Sequence, residues 1–157
     1  MIPERVKGSE KSMSIVNIVA RGRVDRERNE DRQKSLLRAV VLCVDDDHKQ
    51  LAMRVSVLSV AGYSVIFTTS SSEALRLCST GGVDVLVSDF DMPGLNGAAL
   101  ANAVRDVVPI PIVLYSGHID LPLHVRQCAD VFVSKGEPPQ ALLDAVQTLV
   151  ESNSRRR

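Results

Sequence analysis

From Ala39 onward the sequence alternates short apolar runs with longer amphipathic stretches five times, and four of the runs end on residues that carry chemistry. Asp45 and Asp46 follow Val40–Val44, Asp89 follows Val83–Ser88, Ser116 follows Ile112–Tyr115, and Lys135 follows Val131–Ser134. A short apolar run bounded by polar residues reads as a buried strand. Strands alternating with helices and joined by short links give a parallel sheet with right-handed crossovers and helices on both faces. In such a sheet, functional groups gather at the carboxyl ends of the strands. Three carboxylates, one hydroxyl and one ammonium are therefore expected along a single edge.

The pattern predicts strands over 39–45, 63–68, 83–88, 111–115 and 130–134. Helices are predicted over 48–61, 71–79, 96–107, 120–128 and 138–151. Gly62 suits the stop of the first helix. Ser70-Ser71-Ser72 with Glu73 supply capping groups for the second. Pro138-Pro139 suits the first turn of the last. Pro122, early in the fourth helix, makes that helix short or irregular.

Adjacent carboxylates at Asp45 and Asp46, joined by Asp89, repel one another and raise one another's pKa. A divalent cation relieves that repulsion. Mg²⁺ takes hard oxygen ligands and keeps several waters, using one or two carboxylates together with phosphate oxygens. A carboxylate beside such an ion and an ammonium is suited to attack phosphorus and form an acyl phosphate. Asp47 leaves the register of the acidic pair open, and its simplest role is the N-cap of the first helix.

The segments VDDD (44–47), SDFDMPGLNG (88–97), YSG (115–117) and SKG (134–136) resemble the receiver domain of bacterial two-component response regulators, over roughly residues 39–151. The resemblance implies a flavodoxin-like, doubly wound, five-stranded parallel sheet of order 2-1-3-4-5 with five helices. It implies that Asp89 is the phosphoacceptor, with Lys135 and Ser116 contacting the phosphoryl group. It implies Mg²⁺ on the side chains of Asp46 and Asp89 and the backbone carbonyl of Asp91, with Asp45 acting through water. Phe132, three residues before Lys135, matches the family's aromatic switch position. The partners implied are a sensor histidine kinase or histidine phosphotransfer protein, and a downstream protein whose identity the residues leave open.

Two departures from the family pattern stand out. Gly136 follows the lysine where proline is usual, so a trans bond is expected, because a cis bond to a non-proline residue costs ~2.5–4 kcal/mol. Only nineteen positions separate Ser116 from Lys135, a few fewer than usual. An alternative class, the haloacid-dehalogenase-like phosphatases, shares the Asp-x-Asp of Asp89-Phe90-Asp91. That motif belongs after a first strand, and here Pro93 stands where Thr or Val is expected. A pseudo-receiver would lack part of the acidic pocket, and none of the core groups is missing.

Composition bounds the rest. Hydrophobic residues make up 45% of the 157, enough for a packed core built from Val, Leu, Ile and Ala. No apolar stretch approaches the ~20 residues of a membrane span, and no signal peptide is expected around Ile15–Ala20. Cys43, Cys78 and Cys128 lack metal-ligand spacing and read as reduced core residues of a cytoplasmic protein. Zero net charge conceals an asymmetry: residues 1–38 carry ten basic and six acidic residues, whereas 39–154 carry six and thirteen. Residues 1–38 form a charged extension with too little apolar surface to order itself, apart from a marginal helix before Leu36 supported by Glu30 and Lys34. The receiver itself is expected over 39–153, followed by a basic tail over 154–157. The chain ends seven residues past Val150, so the expectation is a stand-alone receiver. It would not be an enzyme, and would have no direct DNA binding and no membrane association.

Overall fold

The computed structural model describes residues 24–34, 39–118 and 120–156. It divides into two units, one ending at Lys34 and one beginning at Ser35. In the first unit, residues 24–34 are helical (α1) and exposed throughout. The marginal helix expected from Glu30 and Lys34 is thus present, while Ile15–Ala20 lies outside the described residues.

The second unit alternates strand and helix: β1 Val40–Val44, α2 His48–Val60, β2 Ser64–Thr68, α3 Ser71–Ser79, β3 Val85–Asp89, α4 Gly97–Val107, β4 Ile112–Ser116, α5 Leu123–Arg126, β5 Val131–Ser134 and α6 Pro139–Ser154. All strand pairings are parallel, in the order β2-β1-β3-β4-β5. The fold expected from the sequence is therefore present, with α1 as a sixth helix outside it.

Successive residues of a strand point to opposite faces, and the core divides accordingly. Val41, Cys43, Val85, Val87, Val113 and Val133 pack under α2 and α6. Leu42, Val44, Leu86 and Ile112 pack under α3 and α4, against Ala74, Cys78, Leu100, Ala101 and Val104. The caps follow the sequence signals. Asp47 Oδ1 accepts the N–H groups of Lys49 and Gln50 at 2.8 and 3.2 Å, which settles Asp47 as the N-cap of α2. Ser70 caps α3 and Asn96 caps α4. Gly62, at φ +99°, turns the chain out of α2. The predicted irregular fourth helix is α5, a single turn without a side-chain cap.

Acidic residues at the opposite, amino-terminal edge of the sheet have backbone duties. Asp84 Oδ2 accepts the Val40 N–H at 2.8 Å, and Asp130 Oδ2 accepts the Ile112 N–H at 2.8 Å and Arg105 Nη2 at 3.0 Å. β3 starts at Val85 and not at Val83, two residues later than the pattern predicts, with Asp84 just ahead of it. The Asp84 N–H pairs with Val40 O at 2.8 Å, making Asp84 the brace between β1 and β3.

Gly97 starts α4 directly against the end of β3. A Cβ there would lie 2.2 Å from Asp89 O and 2.8 Å from Phe90 Cα, both backbone atoms that have no rotamer to change. Gly97→Ala is expected to cost ~1–3 kcal/mol through forced backbone movement, lowering the thermal unfolding midpoint by several degrees. An unchanged midpoint would show that α4 has more room than this contact allows.

Candidate functional site

Between β1 and β3 the chain switches from building the sheet in one direction to building it in the other. The crevice outside the carboxyl ends of the strands at such a switch is where open α/β sheets bind ligands. Asp45 and Asp46 leave β1 at this point, and Asp89 is the last residue of β3 beside it. Oxygens of the three carboxylates lie within 4.8 Å of one another. Asp45 and Asp89 are 1% and 2% exposed, while Asp46 opens to solvent.

Two cations face these carboxylates from within the chain. Lys135 Nζ, one residue past β5, lies 2.6 Å from Asp89 Oδ1. Its N–H donates to Ser116 O at 2.8 Å, which ties the β5–α6 loop to the end of β4. All described peptide bonds are trans, so the Lys135–Gly136 bond is as expected. The second cation is Arg54 of α2, 3% exposed and ion-paired with Asp45 Oδ2. Its guanidinium stacks over the Tyr115 ring, 4.7 Å from the centroid. The other Asp45 oxygen, Oδ1, accepts the Asp47 N–H at 2.8 Å. Asp45 is therefore engaged through both oxygens, whereas Asp46 is the open carboxylate.

Ser116 is fully buried, and its Oγ accepts the His118 N–H at 3.0 Å. The Asp91 side chain pairs with His118, its Oδ1 3.0 Å from His118 Nε2. The His118 ring also meets Phe90 edge-on, at 6.1 Å between centroids. Phe132 is half-buried on the edge strand β5, in register with Leu114. Of the residues expected at the site, Asp45, Asp46, Asp89 and Lys135 are brought together, and Ser116 ends the strand next to Asp89. Cys43 and Cys78 are buried and Cys128 is partly so, all three as free thiols. Burial pushes the Cys43 thiol up to about 12.

Arg54 and His118 were not among the candidate site residues. Arg54 carried a signal: it stands between Leu51 and Leu58 at a spacing that lies on one helix face, and those are the other buried residues of α2. The His118–Asp91 contact joins loops 27 residues apart, and no local pattern announces it.

The donor set is all oxygen, and three carboxylates exceed two cations by one charge. Both facts suit a hard divalent ion such as Mg²⁺.

The Response regulator receiver domain profile matches residues 41–147. The chain belongs to the response regulator receiver family. Nodulation protein W of Bradyrhizobium diazoefficiens is 30% identical over 140 residues, covering 87% of this chain and 62% of its own length. The C4-dicarboxylate transport transcriptional regulatory protein DctD of Rhizobium meliloti is 30% identical over 118 residues, or 74% of this chain and 26% of its own. A receiver domain from Clostridium thermocellum superposes with a TM-score of 0.71 at 25% identity, covering 76% of this chain and 99% of that one. The response regulator TrrA from Thermotoga maritima, solved in complex with Mg(2+)-BeF, gives 0.65 at 26% identity over 71% and 98%. The receiver thus spans about a quarter of one of these curated relatives and under two thirds of the other. Receivers are modules of two-component signalling. Among the described residues no helix is long and apolar enough to cross a membrane.

Burial pushes the Asp89 carboxyl above its ordinary range, against the pull of Lys135 and Arg54, and Asp91 adds to the push. The folded chain therefore holds this proton to higher pH than the unfolded chain. Stability is lost as pH rises from the unfolded value near ~3.9 through the raised folded one. In metal-free buffer Asp89→Asn is expected to melt above wild type at pH 7, with the gap closing as pH falls toward 4. Calorimetry across that range checks it, and a lower midpoint for the variant at pH 7 would contradict it.

Proposed function

We propose that this chain is a phosphoacceptor in a cytoplasmic two-component phosphorelay, with Asp89 as the residue phosphorylated. The observation that carries this reading is the buried Asp89 at the switch point, beside an acidic pair on one side and Lys135 on the other. A sensor histidine kinase or histidine phosphotransfer protein would supply the phosphoryl group. An Asp89 oxygen attacks phosphorus, the bond from phosphorus to the donor's nitrogen breaks, and the leaving group departs with the electron pair.

Asp46 and Asp89, with the Asp91 carbonyl, would hold a Mg²⁺ ion, which supplies charge neutralisation for the transferring group. Asp45 would act through water, since both its oxygens are engaged. Lys135 binds an equatorial phosphoryl oxygen, and the Ser116 hydroxyl another. To do so, Ser116 must reorient from its contact with the His118 N–H. The half-buried Phe132 is then the group that moves inward as Ser116 turns. The change is passed on by protein contact with a downstream partner. Asp89 lies on the third strand and Pro93 follows shortly after it, which disfavours a phosphatase of the Asp-x-Asp kind.

Incubation with a small phosphodonor and Mg²⁺, followed by intact mass measurement, tests the reading. One phosphoryl group should be gained, only with Mg²⁺, and never in Asp89→Asn. Undiminished labelling of that variant would remove Asp89 from the role.

Division of labour among the neighbours gives a second test. Asp46→Ala should weaken Mg²⁺ binding more than Asp91→Ala, because Asp91 contributes its backbone. Lys135→Ala should retain the cation yet lose about tenfold or more in phosphorylation rate. Calorimetric titration and rate measurement check both, and the reverse order of the two aspartates would overturn the division.

A further inference from the structure

The least expected group in the domain is Arg54. An arginine has five N–H donors and stays charged, yet this one is 3% exposed, on the apolar face of α2 between Leu51 and Leu58. Among the described residues its ion-pair partner is Asp45. Its Nε and Nη1 are buried with no hydrogen-bond acceptor among the described residues. The Tyr115 ring face lies against its guanidinium, 4.7 Å from the centroid. Burial accordingly pulls its pKa down, while Cys43, Asp89 and Tyr115 push it back up. Stability is a poor explanation for such a group, because buried ion pairs are often matched or exceeded by apolar residues of similar volume.

Charge balance gives a better one. The carboxylates of Asp45, Asp46 and Asp89 face Arg54 and Lys135, leaving one surplus negative charge. A divalent cation entering alone overshoots to a net positive pocket. Phosphorylating Asp89 replaces a singly charged carboxylate with a group of nearly twice the charge, and neutrality returns only when cation and phosphoryl group are both present. Without Arg54 the unphosphorylated pocket carries two surplus charges, which the cation alone would balance.

We propose that Arg54 is a positioning residue and built-in counter-charge of the acidic pocket: held against Asp45, it suppresses cation binding to the unphosphorylated pocket and makes that binding depend on the phosphoryl group. The proposal rests on the reading of the pocket as a Mg²⁺ and phosphoryl site, and adds a residue and a coupling to it.

The test is a calorimetric titration of Mg²⁺ into metal-stripped wild type, Arg54→Gln, Arg54→Met and Arg54→Lys, each with and without beryllofluoride as phosphoryl mimic. Arg54→Gln keeps a hydrogen-bond donor for Asp45, so it decides the matter if Arg54→Met fails to fold by circular dichroism. Neutral variants should bind Mg²⁺ about tenfold tighter than wild type, ~1.4 kcal/mol, and gain less from beryllofluoride. Arg54→Lys should return both quantities to within about threefold of wild type, on the same scale of charge retained. A merely structural arginine would give unchanged or weaker Mg²⁺ binding in the neutral variants, and that result overturns the proposal while leaving the pocket reading intact. Wild type and Arg54→Gln both failing to bind Mg²⁺, with or without beryllofluoride, would bring down the pocket reading and this proposal together.

Discussion

Three carboxylates held within hydrogen-bonding distance of a common point repel one another, and the domain is arranged around containing that repulsion. The parallel order β2-β1-β3-β4-β5 makes the crowding unavoidable, since it sets the ends of β1 and β3 side by side. Lys135 from beyond β5 and Arg54 from the middle of α2 each neutralise one member. The remaining carboxylate, Asp46, is the one that opens to solvent. A cluster left short of one positive charge is balanced, under the proposed function, when a divalent ion and a phosphoryl group are present together.

The surrounding structure holds these groups still. The site residues sit at or just past strand ends, close in sequence to fully buried residues such as Val44, Val87 and Leu114. Rotamers in such packing are fixed. Gly97 lets α4 begin against the backbone of Asp89 with no side chain between them. By contrast, α5 is one turn, with Leu123 largely exposed. Rigid support under Asp89 and a short, lightly packed element between β4 and β5 form a contrast suited to a module that must register a local chemical change.

Much of this was legible in the sequence because strand ends, caps and turns are local. The runs closing on Asp45-Asp46, Asp89, Ser116 and Lys135 became β1, β3, β4 and β5 with shifts of one or two residues. Asp47 was readable as an N-cap, and Pro122 announced the short α5. What stayed hidden depends on contacts between distant elements. Asp84 looked like a strand residue, but it braces β1 from outside β3. His118 reaches Asp91 from another loop. Arg54 interrupts an apolar stripe, and only the packed sheet shows that it points at Asp45.

In the proposed function Asp89 is the group that takes the phosphoryl. The most direct measurement is chemical trapping: react the protein with a small phosphodonor and Mg²⁺, reduce with borohydride, and map the peptides by mass spectrometry. Borohydride converts an aspartyl phosphate to homoserine, so the predicted result is homoserine at position 89 alone. Homoserine at position 45, 46, 47 or 91, with Asp89 unchanged, would contradict the account.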